Sequence, residues 1–392
     1  MSVTIDQLSG NWNYPTAVRF GVGRASEIGA ACKELGMSNP LLVTDPGLAS
    51  LPMIANAVAS CEAAGLKCAV FSNIKPNPVG QNVEDGVTVY RENGHDGVIA
   101  FGGGSGLDAA KAIALMAGQS GTVFDYEDAG DNWTKVDPAG VAPIVAVPTT
   151  SGTGSEVGRA SVITDAANHV KKIIFHPTMM PSIVVADPEL TVGLPAHITA
   201  ATGMDALSHN LEAYCSPFYH PMAEGIAVEG IRLVQNYLPT AVSDGKDLIA
   251  RSQMMVASTM GATAFQRGLG GMHALAHPLG ALYDAHHGLL NAILMPYVLI
   301  RNRSAIEDRM GRLSAYMSLE DASFDGFLKW VLDLRQQLNI PNDLGALNID
   351  DEKAELVGQM AEVDPSAGGN PISLSAADYT DVFLKAVKGD LG

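Results

Sequence analysis

The sequence predicts an α/β domain with a mostly parallel sheet over residues 1–193, followed by an all-α domain over 194–392. Three observations carry this reading. Up to about residue 190, short β-branched runs alternate with helical patterns. After LTVGLPAHITAATG the strand signals stop, and helical periodicity punctuated by Pro and Gly runs to the end. A chain of 392 residues is also too long for one typical core, so two domains are expected.

In chain order, the expected strands are AVRFG (17–21), PLLVTD (40–45), KCAVFS (67–72), DGVIAFGG (96–103), APIVAVPTT (142–150) and SIVVADP (182–188). Helical stretches such as ASEIGAACKELG and QNVEDGVTVYRENG separate the earlier ones. Apolar strands alternating with helices indicate βαβ units covered on both faces. ASVITDAANHVKKIIF (160–175) differs, with two strands around a polar turn, and reads as a hairpin. The domain boundary falls near 190–198, and domain boundaries are favoured places for ligands.

The totals exclude several classes. A formal charge of −18 argues against nucleic acid or an anionic membrane as the main partner. The longest apolar run, LLNAILMPYVLI at 289–300, is too short for a membrane span and contains a proline. Cys32, Cys61, Cys68 and Cys215 are scattered without a C-x-x-C pair, which fits free thiols in a reducing compartment. MSVTIDQLSGNWNYP has no basic stretch followed by an apolar one, so no signal peptide is expected and the location reads as cytoplasmic.

AFGGGSGLDAAKAIAL (100–115) is the main signal of the first half: a buried strand, three glycines, Ser105, then a helix. Glycines let a phosphate approach the backbone, and the amides and dipole of a helix start favour negative charge. It is neither a P-loop nor a G-x-G-x-x-G, because no Gly-Lys-Ser/Thr follows and Leu107 stands where the last glycine would be. FGVGRAS (20–26) comes nearer to the dinucleotide fingerprint, a match that is cheap in a glycine-rich chain. In LLVTDPGL, Asp45 ends the second strand, where an acid accepts from an adenosine ribose and repels a 2′-phosphate, or caps the next turn. VPTTSGTGSE (147–156) adds hydroxyls and glycines at another strand end.

In GMDALSHNLEAYC (203–215), Asp205 and His209 are four residues apart and share one helical face. GMHALAHPLGALYDAHHG (271–288) holds His273, His277, His286 and His287, four of the chain's ten histidines. Residue by residue these also read as satisfied core histidines and a capping Asp. As a group in an apolar helical half, they favour a divalent metal that neutralises the buried pair. One carboxylate and three imidazoles suit Fe(II), and Zn(II) accepts the same set, with a position left open for water or substrate.

Together these residues resemble the iron-containing, group III alcohol dehydrogenases, a family with the dehydroquinate synthase-like fold, over nearly the whole chain. The resemblance runs through FGVG, VTDPGL, PNP (76–78), GGGSGLDAAKAIA, PTTSGTGSE, DPELT (187–191), GMDALSHNLEAY and HALAHPLGALYDAHHGLLNAILMP. It implies a Rossmann-like first domain that binds NAD and a second domain that holds metal and substrate. It further implies Asp205, His209, His273 and His287 as metal ligands, with His277 beside the nicotinamide and substrate as the catalytic residue. Gly103, Gly104 and Ser105 would hold the pyrophosphate, with Asp108 buttressing the loop and Asp45 selecting NAD over NADP. Thr149, Thr150 and Lys171 would complete the cofactor site, and Asn77 and Leu190 would line it. A homodimer or higher homo-oligomer is what the family suggests.

Two departures from the family pattern stand out. His286 replaces the proline of a usual Pro-His-Gly, and Gln266-Arg267 stand where small polar residues are common. An Arg267 in the pocket would favour an acidic or polar substrate; otherwise it forms a surface salt bridge. The reaction expected is reversible hydride transfer between NAD⁺ and a small primary alcohol, diol or hydroxy acid. A dehydroquinate synthase-like cyclase, a glycerol dehydrogenase-like enzyme, and a metal-dependent hydrolase or storage module are the alternatives.

Overall fold

The computed structural model describes residues 10–12 and 16–392. The signal-peptide reading therefore falls mainly on residues outside those described. The chain divides into two compact units. One runs to Thr150 and resumes over Gly154–Gly193; the other comprises Ser151–Thr153 and Leu194–Gly392.

The first unit is built on a seven-stranded sheet: β1 (Gly10–Trp12), β2 (Ala17–Phe20), β3 (Leu41–Val43), β4 (Ala69–Phe71), β5 (Val98–Gly102), β6 (Ile144–Pro148) and β9 (Ile183–Ala186), in the order β1-β2-β9-β6-β5-β3-β4. Among the described residues, only β1 is antiparallel to its neighbour; the other six strands are parallel. Strands β5, β6 and β9 are buried at every residue, as expected where both faces are covered. The 160–175 stretch is the expected hairpin, β7 (Ala160–Asp165) and β8 (Val170–Phe175), with Lys171 opposite Thr164. Helices α1 (Ile28–Glu34), α2 (Pro46–Ala49), α3 (Pro52–Ala63), α4 (Gly80–Glu92) and α5 (Gly104–Met116) connect the strands.

Strand order reverses once. β3 leads outward to β4 at the edge, whereas β5 returns to the other side of β3 and the chain continues to β6. The carboxyl ends of β3 and β5 therefore form a topological switch point, the usual ligand crevice of an open parallel sheet. Cys61 neighbours Cys32 and Cys68, a proximity that the sequence spacing hid, and all four cysteines are free.

The second unit is helical: α6 (Ala196–Cys215), α7 (Pro221–Ser243), α8 (Leu248–Ala264), α9 (Gly271–Tyr283), α10 (His287–Tyr316), α11 (Phe324–Gln337), α12 (Ala354–Glu362) and α13 (Ala376–Lys388). Pro278 and Pro296 lie inside α9 and α10 rather than ending them. Helix α6 is the axis of the unit, with every residue from Thr199 to Cys215 buried. Glycines let its neighbours come close: a Cβ at Gly261 of α8 would lie 2.9 Å from the His209 Cβ, and one at Gly288 of α10 would lie 3.0 Å from the Asp205 Cβ. Among the described residues no helix is long and apolar enough to cross a membrane.

Candidate metal centre and cofactor loop

Three helices of the second unit bring four side chains to one place. Asp205 and His209 come from α6, His273 from α9 and His287 from the first residue of α10. One donor atom from each lies within 4.8 Å of the others. Asp205, His209 and His273 are at most 4% exposed. The rings of His209 and His273 stack at 4.7 Å, and Phe265 tilts over His209 at 5.2 Å.

The ring nitrogens are fixed from behind. His209 Nδ1 donates to the Gly152 carbonyl at 3.2 Å, and His273 Nδ1 donates to Glu212 Oε2 at 2.6 Å. An imidazole that donates through Nδ1 keeps its lone pair on Nε2. Glu212 also accepts from the backbone N–H of Gly270 at 2.8 Å and of Met272 at 2.6 Å, fastening the start of α9 to α6. Burial pushes the Glu212 carboxyl up to about 7, against the pull of those amides. Burial holds His273 well below the usual imidazole value, favouring the neutral form that a metal ligand needs.

The Asn291 side chain, one turn into α10, donates its amide to Asp205 Oδ1 at 2.9 Å and reaches His273 Nε2 and His287 Nε2 at 3.2 Å each. Acceptors therefore converge here, with a single neutral amide among them. Buried lone pairs arranged this way fit a divalent cation, and the donor set matches iron(II) or zinc(II).

His277 stands one turn beyond His273 on α9. Its ring stacks on His287 at 5.5 Å with an interplanar angle of 12°, and its Nδ1 donates to Asp364 Oδ2 at 2.9 Å. Burial pushes the Asp364 carboxyl up, but His277 and the Ser366 amide outweigh it and hold the group below its usual value.

In the first unit the glycine loop occupies the switch point. Gly102 ends β5 at φ 150°, a conformation that L side chains rarely adopt, and Gly103 caps α5 without any side-chain hydrogen bond. The amides of Gly104 and Ser105 thus open a helix with no side-chain cap, as an anion site requires. The Ser105 hydroxyl donates to the Pro76 carbonyl, beside Asn77. Thr149 N–H donates to the Gly102 carbonyl at 2.9 Å, and a Cβ at Gly103 would meet the Thr150 methyl at 3.1 Å. Asp45 makes the turn cap that one of its two sequence readings expected. Its Oδ1 caps α2 by accepting from Leu48 N–H at 3.1 Å, while Oδ2 would lie 3.6 Å from a Cβ at Gly102.

Other residues lie apart or have other partners. Asp108 uses both oxygens on the hairpin side, accepting from Ser155 Oγ at 2.5 Å and from Val162 N–H at 2.9 Å. Lys111, fully buried beside it, donates to the carbonyls of Ser155, Gly158 and Ala160. Lys171 is on β8, and Leu190 lies in the 3₁₀ turn Pro188–Thr191, packed on the sheet core. The near-fingerprint FGVG loop is filled from within: Gly23 N–H and Ala25 N–H donate to the two oxygens of Asp187.

Arg267 makes the expected salt bridge, but from a buried position rather than at the surface. It is 3% exposed, donates to the carbonyls of Phe218 and Tyr214, and pairs with Glu224 at 3.1 Å. Its charge is spent on ordering the turn after α8. His286 caps α10 by accepting from Leu289 N–H at 3.3 Å, so the imidazole takes over the start of the helix from the expected proline.

A family profile described as iron-containing alcohol dehydrogenase matches residues 15–188, and one for the C-terminal region of the same family matches 199–387. The chain belongs to the iron-containing alcohol dehydrogenase family. As a member it is an NAD(H)-linked, metal-dependent oxidoreductase of alcohols. The 4-hydroxybutyrate dehydrogenase of Cupriavidus necator is 39% identical over 376 residues, spanning 93% of this alcohol dehydrogenase and 97% of the relative. The crystal structure of a 1,3-propanediol oxidoreductase superposes with a TM-score of 0.89 at 35% identity, covering 93% of this chain and 96% of that one. Sulfoacetaldehyde reductase from Bifidobacterium kashiwanohense, solved in complex with NAD⁺, superposes with a TM-score of 0.86 at 29% identity, covering 95% and 97%.

Glu212, Asn291 and Asp364 were not singled out by the sequence. Glu212 follows His209 by three residues and Asn291 follows His287 by four, so helical spacing held a signal for both. Asp364, separated from His277 by 87 positions, had none.

Proposed function

We propose that this alcohol dehydrogenase interconverts a small primary alcohol, diol or ω-hydroxy acid and its aldehyde on one divalent iron held by Asp205, His209, His273 and His287. The observation that carries the reading is the convergence of those four donors, three of them buried, within 4.8 Å. A cation bound there supplies a Lewis acid that lowers the pKa of the alcohol and polarises the aldehyde carbonyl. NAD⁺ supplies the hydride acceptor.

The protein's own residues do the remaining work. Glu212 and the Gly152 carbonyl orient the ligand rings, and Asn291 holds the Asp205 carboxylate. Phe265, over His209, keeps water from the reacting carbon. His277 takes the hydroxyl proton as the alcohol is oxidised and returns it in the reverse direction. In the first unit, the amides of Gly103, Gly104 and Ser105 receive the pyrophosphate, and Asp45 accepts from the ribose and disfavours NADP. Thr149, Thr150, Lys171, Asn77 and Leu190 complete that site, with Asp108 steadying the loop through the hairpin. The division at 193/194 thus separates a dinucleotide-binding domain from one for metal and substrate. A cytoplasmic homo-oligomer is the assembly we expect.

A cyclase acting on a phosphorylated, carboxylated substrate would need a crowd of cations, and Arg267 is spent on carbonyls. A hydrolase or a storage module would have no use for the glycine loop. The test is an NADH fluorescence titration of dialysed protein, coupled to NAD⁺ reduction across methanol, 1,3-propanediol and 4-hydroxybutyrate. Saturable NADH binding with turnover of at least one alcohol supports the reading; a flat titration defeats it.

A further inference from the structure

We propose that Asp364 is the positioning residue for His277, holding its imidazole as the Nδ1–H tautomer so that Nε2 offers the lone pair to the reacting alcohol. This rests on the function proposed above. Helix α9 carries two imidazoles one turn apart, His273 and His277, and each is held at Nδ1 by a carboxylate. Glu212 turns the Nε2 of His273 into the ligand cluster. Asp364 stands in the same relation to His277, and His277 Nε2 has no hydrogen bond within the chain among the described residues. One pairing prepares a ligand and the other prepares a base.

The two oxygens of Asp364 have separate duties. Oδ1 caps the 3₁₀ turn Pro365–Gly369 by accepting from Ser366 N–H at 2.8 Å, and Oδ2 accepts from His277 Nδ1 at 2.9 Å. The cap therefore fixes the carboxylate, and the carboxylate fixes the ring edge. The His277 ring face lies against His287 at 5.5 Å, which leaves the ring little room to turn over. The side chains are 12% and 9% exposed, so water competes weakly for the pair. A neutral imidazole donating at Nδ1 accepts at Nε2. In oxidation the alcohol O–H bond breaks and a bond from Nε2 to that proton forms. The electron pair stays on oxygen and closes the carbonyl as hydride leaves carbon for the nicotinamide.

The decisive variant is Asp364→Asn. Its carbonyl oxygen keeps the cap on Ser366, while its amide donates to Nδ1 and forces the proton onto Nε2. We expect kcat to fall about a hundredfold or more, with KM, NADH affinity and metal content within about twofold of wild type. Nitrogen-15 NMR of zinc-loaded and metal-free protein should find the His277 proton on Nδ1 in wild type and on Nε2 in the variant. Asp364→Glu, which retains an acceptor, should recover part of kcat. Wild-type kcat in Asp364→Asn, or a wild-type His277 protonated at Nε2, overturns the proposal. Should wild-type protein oxidise no alcohol at all, the function proposed above falls, and the tautomer shifts still decide the Asp364–His277 pairing.

Discussion

The two units place charge by opposite means. The first relies on backbone: glycines at the carboxyl end of β5, the amides that open α5, and one carboxylate, Asp45, nearby. The second relies on side chains carried by long buried helices, each held by a partner such as Glu212 or Asn291. A backbone amide survives most substitutions, so the proposed cofactor loop should weaken by degrees. A four-ligand cluster has no spare member, so it should fail at the first loss. The first unit repeats the lesson on a smaller scale. FGVG resembles the fingerprint more closely than GGGS does, yet Asp187 occupies its amides, while the α5 start lacks a side-chain cap.

Breaking the cluster tests this contrast most severely. His273→Ala should lose the metal and at least about a thousandfold in alcohol oxidation, while NADH affinity, followed by fluorescence, changes less than about threefold. Equal loss of both would erase the distinction between the units. Glu212→Gln should weaken metal affinity by about 10–100-fold, measured by competition with a chromogenic chelator, because the ring it orients remains but its basicity falls. Gly102→Ala forces a Cβ onto a backbone at φ 150°. It should cost about 1–3 kcal/mol in urea unfolding and weaken NADH binding without altering metal content. Asp45→Gly should have the smallest effect. Glycine loses only a few tenths of a kcal/mol as an N-cap, so reduced discrimination against NADP⁺ can be read apart from folding, from the ratio of kcat/KM values.

The strands were legible because sheets covered on both faces demand unbroken apolar runs, as in VIAFG and IVAVP. Of the four proposed ligands, Asp205 and His209 were legible from their shared helical spacing, whereas the 271–288 stretch offered four histidines and only the family resemblance picked His273 and His287 among them. The three-residue β1 carried too little pattern to be read. Pro278 and Pro296 looked like punctuation, yet packing around α9 and α10 carries the helices through them. Arg267 looked like a surface or pocket residue. Its burial depends on the carbonyls of Phe218 and Tyr214, which lie about fifty positions away. Asp364 was hidden for the same reason: a contact made by tertiary folding leaves no local period.

The most direct measurement is metal content per chain after purification without air, followed by alcohol-dependent NAD⁺ reduction before and after chelation. The account predicts about one iron or zinc per chain, activity lost on chelation and restored by Fe(II), and neither metal nor activity in His273→Ala. Protein stripped of metal that still reduces NAD⁺ at the full rate would contradict it.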